Sequence, residues 1–335
     1  MLLAGAAVAV AAAATALWVR AQARRAERDH PPIGRFIEVD GVRLHYVERG
    51  EGPPVVLLHG NGTMIQDFEL SGLVGLAAER HRVIVFDRPG YGYSERPRGR
   101  RLWTPAAQAD LLREALRRLG VERPVVVGHS WGTLVALALA LRHPAEVRAL
   151  VLLSGYYFPS LRLDVPLLSP PAIPLLGDVM RYTVSPLVAR LIWPLMLRRL
   201  FGPAPVPPRF GAFPRALAMR PSQLRAAAAE SALMIPAAIG LRRRYRELRV
   251  PVVIAAGAGD RHVATKKQSA RLHREVLGSD FQAAAGIGHM LHHGAPEQVM
   301  AAIDLAERRA RQGAAGAVRS DAVAVAGRRA ADARV

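Results

Sequence analysis

Residues 125–140 read VVVGHSWGTLVALALA, Val125 to Ala140. A β-branched apolar run leads into Gly128, and a second apolar run begins at Trp131. A short continuous apolar run bounded by turn residues reads as a strand buried on both faces, and the longer run after it as a helix. The corner between them is Gly-His-Ser-Trp-Gly, Gly128 to Gly132. G-x-S-x-G between a strand and a helix displays its serine on a strained turn. Side chains at Gly128 or Gly132 would crowd the neighbouring strand and helix. The helix starting at Trp131 aims its first amides at developing negative charge.

The pattern repeats on both sides. PPVVLLHG (53–60), HRVIVFDRPG (81–90), EVRALVLLSG (146–155) and LRVPVVIAAGAGD (248–260) are further buried strands. TPAAQADLLREALRRLG (104–120) is an amphipathic helix with Thr104 as N-cap, Pro105 in its first turn and Gly120 past its end. ATKKQSARLHREVL (264–277) and APEQVMAAIDLAERRA (295–310) read as helices, and RFIEVDGVRLHYVERG (35–50) as a hairpin turning at Asp40-Gly41. Buried strands alternating with helices predict a mostly parallel sheet covered on both faces. In such sheets ligands bind beyond the carboxyl ends of the strands. His59, Asp87, Ser130 and Asp260 stand at those ends.

The rhythm fails between Gly155 and Arg246. This Pro-, Leu-, Met- and Arg-rich stretch, with LIWPLMLRRLF (191–201) in its middle, is expected to be a helical cap inserted over the sheet. The organisation expected is an apolar segment at 1–20, a linker at 21–31, a first core part at 32–154, the cap at 155–247, a second core part at 248–311 and a disordered tail at 312–335.

The first nineteen residues carry no charged side chain before Arg20. They are about long enough to span a bilayer. The flank RAQARRAER (20–28) places positive charge after the span, which favours a retained anchor with the domain that follows on the cytoplasmic side. The alternative is a signal peptide cleaved near Ala21–Ala23, giving a secreted or periplasmic protein.

The 335 residues carry 46 Lys and Arg against 27 Asp and Glu, a formal net charge of +19. Only Lys266 and Lys267 are lysines. The excess is an arginine bias of the whole chain. No zinc-finger spacing, basic heptad region or aromatic-basic motif accompanies it, so no nucleic acid is expected as partner. The absence of cysteine excludes a disulfide scaffold and a thiol nucleophile. No G-x-G-x-x-G follows a strand and no ligand cluster has metal spacing, so neither cofactor nor metal is expected.

A serine hydroxyl becomes a nucleophile when a base and an orienting carboxylate serve it. The order acid then histidine after such a corner selects Asp260, just past a buried strand, and His289 in AAAGIGHMLHH (283–293). His292 and His293 are rivals. The Gly-rich setting of His289 suggests a flexible, exposed loop. Asp260 also suits a helix cap. LLHGNGT (57–63) puts a Gly-containing turn after a strand, where the Asn61 amide would join that of Trp131 in an oxyanion hole.

HGNGT, FDRPGYGYS, GHSWG, AGAGD and GIGH, in this order and spacing, resemble the α/β-hydrolase fold superfamily from about Pro32 to Arg309. The resemblance implies an α/β-hydrolase fold with a helical cap and a Ser130-His289-Asp260 triad. It further implies cleavage of a carboxylic ester or related acyl substrate through an acyl-enzyme. HGNG resembles epoxide hydrolases and haloalkane dehalogenases, whose nucleophile is aspartate; here it is Ser130. GHSWGT resembles proline iminopeptidases, but their HGGPG signature is absent. Carbon–carbon hydrolases, thioesterases, peptidases, perhydrolases and acyltransferases share the triad. A non-catalytic binding protein would have no need of all three residues. The cap's Leu, Met, Trp and Phe suggest an apolar acyl or alcohol group or simply pack the cap together, and Arg242, Arg243 and Arg244 suggest an attraction for acids or a solvated face.

Overall fold

In a computed structural model, which describes residues 2–99 and 102–313, eight strands form one sheet. They are β1 (Arg35–Val39), β2 (Val42–Arg49), β3 (Pro54–Leu58), β4 (Arg82–Phe86), β5 (Val125–His129), β6 (Ala149–Leu153), β7 (Val252–Gly257) and β8 (Asp280–Ala284). Their spatial order is β1-β2-β4-β3-β5-β6-β7-β8. β2 pairs antiparallel with β1 and β4, and every other pairing is parallel. The β1–β2 turn sits at Asp40 and Gly41, both at positive φ, as an Asp-Gly hairpin requires.

β5 and β6 are buried at every residue. Alternate side chains enter two cores. Val126, Leu150 and Ile254 pack with the helices Pro105–Arg118 and Trp131–Arg142 on one face. Val125, Val127, Val151 and Val253 pack on the other with helices Ile65–Ser71 and Leu73–Ala78 and the helix at 296–313. Thr104 caps its helix by accepting from the Ala107 amide at 3.2 Å, and Gly120 follows at φ 62°.

Between β6 and β7 the chain forms helices only, the longest being Val184–Phe201 and Pro221–Arg242. Pro221–Arg242 packs against Trp131–Arg142 and ties this region to the core.

Three expectations need correction. Residues 21–29 are no linker: the helix Leu2–Asp29 runs through them. Ala, Arg and Glu are strong helix formers, and Arg25 pairs with Asp29 one turn on. The helix expected from Ala264 begins only at Ser269. Asp260 draws the His262 and Val263 amides into a turn before it. Residues 312 and 313 continue the last helix, and the rest of the expected disordered tail lies outside the described residues.

Candidate active site

β5 delivers Ser130 at φ 51° and ψ −116°, a left-handed backbone that a non-glycine residue holds at a cost of about 1–3 kcal/mol. The crowding around it is severe. A Cβ on Gly128 would lie 2.6 Å from the Gly132 carbonyl oxygen; one on Gly132 would strike the Leu58 carbonyl and come to 2.8 Å of that of His59. The corner is therefore a close crossing of β3, β5 and the helix Trp131–Arg142. Ser130 itself is only partly buried.

Asp260 follows β7 and His289 follows β8. Their side chains meet, with His289 Nδ1 2.8 Å from Asp260 Oδ2. The other oxygen, Oδ1, accepts from the His262 and Val263 amides at 2.8 Å each. Asp260 thus both caps a turn and orients an imidazole. Burial pushes its carboxyl up, but the His289 ring and the two amides outweigh burial and hold it below the usual range. With Nδ1 engaged, Nε2 is the free face of the ring. His289 is tied to the residue before the serine: its carbonyl lies 3.1 Å from Nε2 of His129, and the two rings are 4.9 Å apart.

The loop leading to His289 is exposed at Ala285 and Gly286, but His289 itself is not. His289 is 2% exposed, and its amide donates to the Leu200 carbonyl at 2.8 Å. A Cβ on Gly288 would lie 2.6 Å from the Phe201 carbonyl oxygen. The glycine serves close approach to the end of helix Val184–Phe201, not mobility. The rivals point elsewhere: His293 Nε2 and His292 Nε2 lie 2.8 and 3.2 Å from Asp67 Oδ1.

Asn61 and Trp131 flank the serine. Gly60, just before Asn61, packs so tightly that a Cβ there would sit 3.2 Å from Ser130 Cβ. Gly62 turns the chain at φ 79°. The Asn61 side chain is committed: Nδ2 donates to the Ala227 carbonyl and Ser231 Oγ, and Oδ1 accepts from Tyr91. That leaves its backbone amide for a ligand. The Trp131 amide is the first of its helix, with no carbonyl of that helix to meet.

His59 and Asp87, placed by sequence at the strand ends, are structural. His59 Nδ1 donates to the Gly60 carbonyl and Nε2 accepts from the Arg88 amide. Burial, and after it the Arg88 charge, lowers its pKa to about 4. Asp87 binds His45 Nδ1 at 2.6 Å and the Ile65 and Tyr93 amides.

Sequence reasoning missed Arg88 and Glu230. Both side chains are fully buried, 2.5 Å apart, with Gln108, Tyr91 and the His59 and Gly60 carbonyls completing the network. Glu230 comes from the helix Pro221–Arg242, so one ion pair locks that helix over the turn holding Asn61. The one available signal was an arginine two residues past a buried strand. Its partner lies 142 residues away.

Asp67, His129 and His292 are the described residues that could hold a metal ion; their ligand atoms lie within 4.8 Å of one another. Asp67 is meanwhile engaged by His293, and His129 by the His289 carbonyl. A cleft of about 540 Å³ lies beside the loop Gly90–Pro97, and neither Ser130, Asp260 nor His289 lines it.

Residues 53–296 match the family model described as alpha/beta hydrolase fold. The 2-hydroxymuconate semialdehyde hydrolase of Pseudomonas putida is 38% identical over 136 residues, 40% of this chain and 48% of that protein. Haloalkane dehalogenase 2 of Mycobacterium bovis is 31% identical over 131 residues, 39% of this chain and 45% of that protein. The chain thus spans about half the length of the curated relatives it matches. Among solved structures, a membrane phospholipase A aligns with a TM-score of 0.61 at 22% identity, covering 91% of this chain and 96% of that one. That likeness is one of fold.

Proposed function

The chain belongs to the alpha/beta hydrolase fold family, and from that premise we propose that it is a serine hydrolase cleaving a carboxylic ester or related acyl substrate. One observation carries the reading: Asp260 orients His289 at 2.8 Å on the sheet edge where Ser130 stands on its strained corner. Ser130 Oγ attacks the acyl carbonyl carbon while His289 Nε2 takes its proton. Asp260 keeps the ring in the required tautomer and stabilises the imidazolium. The amides of Asn61 and Trp131 bind the oxyanion. His289 returns the proton to the leaving alcohol, and water, activated by the same imidazole, releases the acid and frees Ser130.

A second reading is carbon–carbon bond hydrolysis on the same triad. The 38% identity to 2-hydroxymuconate semialdehyde hydrolase supports it. The helix Leu2–Asp29 completes the proposal. Within Gly5–Asp29 an 18-residue stretch has a mean hydropathy of 1.4 and is only 6% buried, which suits a membrane anchor.

The test is turnover of p-nitrophenyl esters of graded acyl length, run beside 2-hydroxymuconate semialdehyde. Ester hydrolysis lost in Ser130→Ala and His289→Ala is expected. Turnover of the semialdehyde alone would establish the second reading, and inertness toward both would remove the hydrolase proposal.

A further inference from the structure

Apolar exposure is distributed unevenly over this molecule. Of the 21 large hydrophobic residues exposed among the described residues, 13 fall between Leu161 and Leu195. Leu175 is 82% exposed and Leu191 81%. They belong to the helical region between β6 and β7, whose apolar residues suited, from sequence, an apolar substrate group or the packing of the cap itself. These thirteen instead face outward. A concentration of this kind marks an interaction surface.

The N-terminal helix says which partner. It lies against the same region: the Arg20 guanidinium sits 5.2 Å from the Tyr182 ring centroid, and that of Arg190 4.8 Å from the Trp18 ring centroid. Lower down, Ala26 is buried with Phe210, Phe213 and Leu217, and Glu27 pairs with Arg220 at 2.7 Å. Helix and cap are thus one packed unit. From Leu2 to Trp18 the helix rises about 24 Å, most of the roughly 30 Å hydrocarbon thickness. An inserted helix therefore sets Trp18 and Arg20 at the membrane interface. Tyr182 and Arg190, which touch them, stand at that level too.

Charge agrees. Asp164 and Asp178, the acids of residues 161–201, are paired, with Arg162 and with Arg98 and Arg181. Arg190, Arg198 and Arg199 have no carboxylate partner among the described residues. A surface of outward leucines with unpaired arginines fits the interfacial layer of an anionic bilayer.

We propose that the cap segment 161–199 lies in the membrane surface, its leucines among the upper acyl chains and its unpaired arginines among anionic headgroups. The inference rests on insertion of the N-terminal helix, and its test separates the two.

The chain has no cysteine, so single cysteines report single positions. Full-length Leu17→Cys, Leu175→Cys, Leu191→Cys and Leu277→Cys would each carry an environment-sensitive fluorophore. Leu277 is 92% exposed and lies just before β8, outside the cap. Each protein is reconstituted into phosphatidylcholine–phosphatidylglycerol vesicles with or without acyl-chain nitroxide lipid. The proposal predicts blue-shifted emission and nitroxide quenching at 17, 175 and 191, and a wet, unquenched signal at 277. It also predicts weaker quenching at 191 in vesicles of phosphatidylcholine alone. Quenching at 17 with wet signals at 175 and 191 overturns cap docking and leaves the anchor standing. A blue shift at 175 and 191 without quenching means that a second copy of the chain covers the face, and overturns it as well. No quenching at 17 removes anchor and docking together.

Discussion

The sheet edge around Ser130 and the segment 161–199 use apolar residues in opposite ways. Beneath Ser130 the backbone is close-packed: three glycines are required because backbone or side-chain atoms occupy the space of their Cβ atoms, and β5 exposes nothing. In 161–199 leucines face outward, and helix Val184–Phe201 buries only Pro186 and Phe201. Close packing fixes a catalytic geometry, because interiors transmit a shift of one methylene. An outward apolar face has no such partner inside the chain. The cap as a whole is joined to that sheet edge by Arg88–Glu230, through helix Pro221–Arg242, and by the Leu200 carbonyl, just past the segment, which receives the His289 amide.

That join is where the largest effect on stability is expected. Glu230→Gln leaves Arg88 buried without its counter-charge, which costs about 3–5 kcal/mol. Thermal unfolding should show it, and ester turnover should fall with it as the helix over Asn61 loosens. An unchanged midpoint would mean that cap and core are energetically separate.

Next in size is the corner. Gly132→Ala must displace the β3 carbonyls, at about 1–3 kcal/mol. By contrast Gly240, in the helix Pro221–Arg242, has nothing within 4 Å of its would-be Cβ. Gly240→Ala should stabilise, by about 0.5–1 kcal/mol, the smallest effect predicted here. Chemical denaturation of both variants checks the pair; equal and small effects would erase the contrast.

Between these lies a pH dependence confined to the sheet edge. Burial, helped by Arg88, lowers His59 to about 4; burial, helped by His289 and Arg162, lowers His262 to about 3. Their ordinary value is 6.5, so below it the unfolded chain takes up protons that the folded chain refuses. Stability is then fully present above pH 6.5 and falls as pH drops toward 4, by about 1.4 kcal/mol per unit per group. Unfolding midpoints across that range should decline, and His262→Asn should flatten the decline.

Legibility follows the same division. The parallel strands, the helix capped by Thr104 and the Ser130 corner were readable because each is local: an apolar run, an N-cap, a glycine pair. The meeting of Asp260 and His289 was readable by order and resemblance, though the packing of Gly288 against Phe201 buries His289 while Ala285 and Gly286 of its loop stay exposed. β8 went unread because DFQAA lacks a strong apolar run. It pairs on one side only and is largely half-buried. Arg88–Glu230 was out of reach for a different reason: the pair is created by the cap folding back over the sheet, and neither residue carries a local signature. The outward face of the cap leucines was not legible, because composition does not tell a lining from an outer face.

The account's central claim is that Ser130 is an activated nucleophile served by His289 and Asp260. Its most direct measurement is reaction of the full-length protein with a fluorophosphonate, with the adduct located by mass spectrometry. One adduct per chain on Ser130, slowed severely in His289→Ala and Asp260→Ala, is predicted. A folded wild-type protein that stays unlabelled, or one labelled elsewhere, would contradict it.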